Sequence, residues 1–268
     1  MTRKTYPSDL TNQEWALIAP YLTLAPLNAP QREHDLREVL NALRWMIRTG
    51  AQWRYLPHDF PDWQIVQQQT QRWIDRGCFE NLVHDLREML RLKHGKQAQP
   101  SATAVDSRFV PSTPESGHRA AYNGHKAKKG SKLHAVVDTM GHLLALCVTA
   151  GNVDDREPVE ALCQRVQEQT GEAVRVMFAD QNYTGETVLE EAEFEGIDLV
   201  VVNRPEGSRG FVLLPKRWVV ERSFAWVTRF KRLVRDYERL PGVFAGLHFA
   251  AFGILMVAKF VQEVGLTT

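Results

Sequence analysis

Beyond residue 100 the hydrophobic pattern switches between two periods in a fixed order, and that order constrains the fold more than any other feature. Ala102 to Val110 reads as a strand, and Lys132 to Asp138 with Leu143 to Ala150 as a hairpin turned at Met140-Gly141. Glu157 to Gln169 has helical spacing, Val174 to Ala179 strand character, Thr184 to Phe194 helical spacing again, and Ile197 to Val202 strand character. A long helix is predicted from Lys216 to Asp236, and an apolar helix closes the chain.

The first part of the chain reads as helical throughout. Thr11 and Glu14 form a capping box, followed by Trp15, Ile18 and Leu22 at helical spacing. A second helix is expected from about His34 to Thr49, ended by Gly50. After the proline- and aromatic-rich WRYLPHDFPDW, Asp62 can cap a third helix, WQIVQQQTQRWI, and a fourth runs from about Phe79 to Leu92. The polar KHGKQAQPSAT breaks the helical pattern and divides the chain into residues 1–95 and 100–268. Three strands, helix, strand, helix, strand, helix is the order of a ribonuclease H-like fold. The expected class is therefore α/β: a mixed sheet flanked by helices, preceded by an all-α, helix-turn-helix-like bundle.

With 268 residues, 44% of them hydrophobic, the chain can bury a sizeable core. Its net charge of +1 at pH 7 does not by itself suggest a nucleic-acid partner, so only the distribution of charge can. Cys78, Cys147 and Cys163 have no paired spacing and fit a reducing interior. MTRKTYPSDL lacks an apolar signal core. Val243 to Ala258, about 16 residues interrupted by His248, falls short of the ~20 a membrane span needs. A buried core helix or an oligomer contact is the better reading, and the expected location is the cytoplasm.

Three carboxylates sit where this fold would bring them together. Asp106 interrupts the apolar strand AVDSRFV, where a charge is costly unless paired or metal-bound. Asp180 lies just past VRVMFA, at the strand end where open α/β sheets place ligands. Glu221 lies inside the long helix, in a stripe with Arg217, Thr228, Arg232 and Arg235. Singly, each has a bland explanation: a turn residue, a helix cap, a solvated face. Together they could hold divalent metal, and hard oxygen ligands select magnesium or manganese, two ions clamping attacking and leaving oxygens.

Basic residues concentrate in two stretches. From Arg209 to Arg235 there are Lys216, Arg217, Arg222, Arg229, Lys231 and Arg232, with Glu221 the sole acid. From His118 to His134 no acid occurs, and Lys126, Lys128, Lys129 and Lys132 fall in an expected loop that would neutralise phosphates. Its histidines lack the tight spacing of a zinc site.

These segments resemble a family, the bacterial insertion-sequence transposases of the group named after insertion sequences four and five. The resemblance runs from LTNQEWALIAPYL and HDLREVLNALRWMIRTGAQWRYLPHDFPDW through AVDSRFV, YNGHKAKKGSKLHAVVDTMGHLLA and VTAGNVDDREP. It continues through FADQNYTGE to GFVLLPKRWVVERSFAWVTRFKRLVRDYE. It implies that Asp106, Asp180 and Glu221 are the catalytic acids. It also implies magnesium or manganese, terminal inverted repeats and target DNA as partners, and a homodimer that holds two ends. Arg217 and Glu221 match the family's pattern around the glutamate. Leu214 and Thr228 stand where it carries Tyr and Lys, with Arg229 one residue beyond.

Two other functions compete: a non-catalytic DNA-binding derivative, against which the intact acids argue, and a plain nuclease of the same fold, against which the helical N-terminal part argues. The exposed face expected of the third helix, Gln64, Gln67, Gln68, Gln71 and Arg72, offers groups that can read adenine and guanine edges. A merely solvated face is the alternative.

Overall fold

Local capping starts the N-terminal helices where the sequence signals them. The computed structural model describes residues 3–23, 34–202 and 218–265. The Thr11 hydroxyl accepts from the Glu14 amide at 3.1 Å and the Glu14 carboxylate from the Thr11 amide at 2.9 Å, starting α1, Asn12–Leu22. Asp35 caps α2, Leu36–Thr49, and Gly50 ends it in the left-handed region at φ 74°. Asp62 caps α3, Trp63–Asp75, and α4 is Cys78–Lys93. Residues 50–62, with a 3-10 turn at Trp53–Tyr55, join α2 to α3. That connection is longer than the 3–4 residues of a helix-turn-helix; the tight turn, at Arg76-Gly77, lies between α3 and α4 instead.

The strands are β1 Ala102–Pro111, β2 Ala121–Asn123, β3 Lys128–Asp138, β4 Leu143–Ala150, β5 Val176–Ala179 and β6 Asp198–Val201. β3 lies between β1 and an edge shared by β2 and β4, all antiparallel, while β1, β5 and β6 run parallel. Helices α5 (Val159–Thr170) and α6 (Glu186–Phe194) alternate with the parallel strands, α5 packing on β4 and α6 on β6. This is the mixed, helix-flanked sheet expected of a ribonuclease H-like domain. The basic segment expected as a loop is partly paired: Tyr122 lies opposite Lys129 and Asn123 opposite Lys128.

The long helix predicted to Asp236 is shorter. It begins by Trp218 and ends at Val227 as α7, Trp218–Val227, followed by a 3-10 turn at Lys231–Leu233. The reason is tertiary. The Asp236 amide donates to Pro111 O at 2.9 Å, and its buried side chain accepts from the Ser131 hydroxyl and from Arg119. This anchoring at the end of β1 overrides helical propensity. Thr228, Arg232, Val234 and Arg235 therefore do not continue the faces of α7.

The last helix, α8, Pro241–Glu263, is long and apolar enough to cross a membrane by length and composition, and it is mostly buried inside the protein. It exceeds the apolar stretch read from the sequence because its polar ends are helical too. α8 packs on α1, α2, α3, α4 and β4, so the bundle and one face of the sheet share a continuous core. Gly246 permits the closest approach: a Cβ there would stand 2.6 Å from Ile74. His248 is fully buried, with its Nδ1 2.7 Å from Phe244 O, and burial lowers its pKa to about 4.

Candidate active site

Parallel pairing of β1 with β5 sets Ala104 opposite Phe178. Two residues further along each chain come Asp106 and Asp180. Both are half-buried, at the level where β5 ends. Strand alternation gives Ala104, Asp106 and Arg108 a common face. α7 packs on β1 and β3, and Arg108 Nη1 donates to Phe224 O of α7 at 3.4 Å, so this is the face that α7 covers. Val220 and Val227 bury the inner side of α7, and Glu221 is half-buried one turn before Phe224.

An open cleft of ≈ 1140 Å³ is lined by Asp106 and Asp180 together with Asp154 and Asp155. Its basic lining is Arg108, Lys126, Lys128, Lys132 and Arg156. Glu221 is not part of that lining. Two of the three expected acids thus meet in the cleft, and the third is carried by the helix over the same sheet face. Asp180 also caps the 3-10 turn Gln181–Tyr183, accepting from the Asn182 amide at 2.8 Å. Ser107 donates its amide to Asp106 Oδ1 at 2.7 Å.

Buried beside these acids, Tyr183 has its phenol pushed well above the ordinary range, by burial first and then by Asp106, Asp155 and Asp180. His134 is buried with Nε2 2.8 Å from Thr149 Oγ1, and burial lowers its pKa to about 4. The donor chemistry of Asp106 and Asp180, carboxylate oxygens only, suits a hard divalent cation such as magnesium or manganese. Among the described residues, no group of three or more His, Cys, Asp or Glu side chains is gathered to hold a metal.

The expected DNA-binding residues separate into groups. Lys126, Lys128 and Lys129 are exposed at the β2–β3 hairpin, whereas Lys132 donates to Asp155 at 2.9 Å and to Val153 O at 2.7 Å. Gln67, Gln68 and Arg72 are exposed on α3, and half-buried Gln71 donates to Asp75 at 2.7 Å. Arg222 lies over the Trp218 and Trp226 rings and donates to Met140 O at 2.9 Å, while Arg229 is exposed. Arg232 corrects the expectation of a phosphate contact: it is 6% exposed and paired with Glu238 at 2.7 Å, because the chain leaves the helix before reaching it. Lys216, Arg217 and Leu214 lie outside the described residues.

Sequence reasoning passed over Asp154, Asp155, Arg108 and Tyr183. The signals were present: a second charge in the buried strand AVDSRFV, and two adjacent acids just after the strand LLALCVTA.

The profile of a family described as "Transposase DDE domain" matches residues 97–256, and one described as "Putative transposase of IS4/5 family" matches residues 10–83. The chain is 34% identical over 120 residues to a Burkholderia cepacia protein named "Putative transposase for insertion sequence element IS402". That match covers 42% of this chain and only 56% of the relative. It is also 30% identical over 121 residues to a Sinorhizobium fredii protein named "Uncharacterized protein y4sN", covering 45% of this chain and 86% of that one. With a ribonuclease H-like sheet carrying two cleft acids, and a family match across most of that part, this chain belongs to the family of transposase DDE domains.

Proposed function

We propose that this chain is a DNA transposase that binds terminal inverted repeats, hydrolyses phosphodiesters at the element ends and joins the freed 3′ hydroxyls to target DNA. The observation that carries the reading is the pair of carboxylates, Asp106 on β1 and Asp180 just past the end of the adjacent parallel β5, in a cleft that Lys126 and Lys128 also line. The name of the Burkholderia relative supports the same activity.

Asp106, Asp180 and Glu221 are the acids of the reaction. Two divalent ions, magnesium or manganese, would supply Lewis acidity for the attacking and leaving oxygens when bound. The protein's own part is to hold and orient: the carboxylates fix the reacting phosphate's surroundings, and the exposed lysines of the β2–β3 hairpin neutralise the flanking backbone. Because two ends must be held together, a homodimer is the expected assembly. The protein acts in the cytoplasm, on DNA.

The test uses DNA from either side of the gene, carrying its inverted repeats, with a plasmid target. Magnesium-dependent cleavage at the repeats followed by joining to the plasmid is expected. Cleavage without joining would instead identify a plain nuclease, and binding without either would identify a non-catalytic derivative.

A further inference from the structure

We propose that Asp155 is a positioning residue for the Asp106 carboxylate, acting through Ser107. The inference rests on the proposed transposase reading and extends it to a residue that this reading does not use.

The geometry is a relay across three segments. Asp155 lies after β4, its side chain 14% exposed beside the equally enclosed Lys132 of β3. One oxygen, Oδ1, accepts both from Ser107 Oγ at 2.8 Å and from Lys132 Nζ at 2.9 Å. Ser107 in turn donates its backbone amide to Asp106 Oδ1 at 2.7 Å. Ser107 is thus held at its hydroxyl by Asp155 while its amide holds the acid. Lys132 is itself fixed by Val153 O at 2.7 Å. The expected phosphate contact of Lys132 is better described as the counter-charge of Asp155. It keeps a fourth carboxylate in the cleft from repelling Asp106, and it keeps the relay oxygen in place.

The physical consequence is preorganisation. The Ser107 amide is one restraint on the half-buried Asp106 carboxylate, and Asp155 fixes the residue that supplies it. Outer partners of this kind commonly change metal affinity by 10–100-fold when removed. Asp155 acts through Ser107 and touches neither metal nor DNA.

The test is Mn2+ binding to the full chain, followed by the paramagnetic resonance of free Mn2+, with end cleavage measured alongside. Ser107→Ala and Asp155→Ala, which remove the donor and the acceptor of the relay, should each raise half-saturating Mn2+ by about tenfold. Ser107→Thr, which keeps the hydroxyl, should stay near the unaltered protein. The double variant should be no worse than the weaker-binding single one; a multiplied loss would overturn the route through Ser107. If Asp155→Ala fails to fold, the Ser107 pair decides. Mn2+ binding by Ser107→Ala within twofold of normal, while Asp106→Asn loses it, would overturn this proposal and leave the transposase reading intact. Normal Mn2+ binding by Asp106→Asn would overturn both.

Discussion

Arg91 of α4 donates from Nη1 to Asp138 Oδ2, at the end of β3, across 2.9 Å, and the carboxylate is fully buried. Asp138 Oδ1 accepts from the Met140 and His142 amides at 2.9 Å, so the same residue shapes the β3–β4 turn. Burial pushes this carboxyl upward, but hydrogen bonds from His142 and Arg91 outweigh it and hold the pKa at about 2. An N-terminal helix is thereby tied to the catalytic sheet through a buried charge. Removing one partner of such a pair leaves the other uncompensated. Arg91→Met is therefore expected to cost about 3–5 kcal/mol in chemical denaturation. Helical and sheet signals should be lost in one transition, because α8 joins both parts in one core. Two separate transitions would count against that coupling.

Asp106→Asn, Asp180→Asn and Glu221→Gln are each expected to abolish end cleavage and to leave DNA binding in place. Gel-shift and cleavage assays on the same preparations check this. Normal cleavage by any one variant removes that residue from the mechanism. Glu221 is the most exposed to refutation, because it is carried by α7 outside the cleft lining. Cleavage should proceed with magnesium or manganese and fail with calcium, whose looser coordination does not enforce the same geometry.

The succession of strands and helices after residue 100, β2 excepted, and the places of Asp106 within a strand and Asp180 just past one were legible because they depend on short-range periodicity and strand ends. The C-terminal boundary of α7 was not, since Phe230 to Asp236 keeps helix-forming residues and is diverted by Asp236 anchoring on Pro111, Arg119 and Ser131, contacts more than 100 residues apart in sequence. The fate of Arg232 follows from the same diversion. The Asp155 relay was hidden for a different reason: a serine, a lysine and an aspartate with no periodic relation meet only when β1, β3 and the segment after β4 are stacked.

Two basic residues read alike from sequence should now behave oppositely. Lys128→Ala, at the exposed hairpin, should leave stability within about 0.5 kcal/mol and reduce the salt slope of DNA binding by about 1. Arg232→Ala breaks the buried pair with Glu238 and the cation–π contacts with Trp53 and Tyr237, and should lose about 3–5 kcal/mol of stability. Measured salt slopes and denaturation midpoints separate them. An Arg232→Ala protein of normal stability but weakened DNA binding would reverse the assignment.

On α3, Gln67 and Gln68 are exposed and Gln71 is engaged with Asp75. If this face reads bases, Gln67→Ala should weaken binding to the terminal repeats by roughly 1–3 kcal/mol and hardly affect random DNA. Gln71→Ala should do less, as its amide already has a partner. Equal small effects on both DNAs would make the face a solvated surface and turn attention to Lys126–Lys129.

The buried histidines set an acid limit on stability. Burial lowers the pKa of His84 to about 3 and of His134 and His248 to about 4, from an ordinary 6.5. Each is neutral in the folded protein and protonates readily only when the chain unfolds. Between pH 6.5 and 4 the unfolded state therefore binds more protons, and stability must fall as pH falls through that window. The limiting slope is about 1.4 kcal/mol per pH unit for each histidine. Asp138 adds its own loss only at lower pH, as its carboxyl protonates between about 3.8 and 2. Urea midpoints taken from pH 7.5 to 4.5 should thus decline well before the carboxylates titrate. His248→Gln is expected to flatten the decline by up to one proton, whatever it does to stability at pH 7.5. A midpoint that stays level down to pH 5 would show that these imidazoles are protonated in the folded protein, and that the core around α8 is open to water.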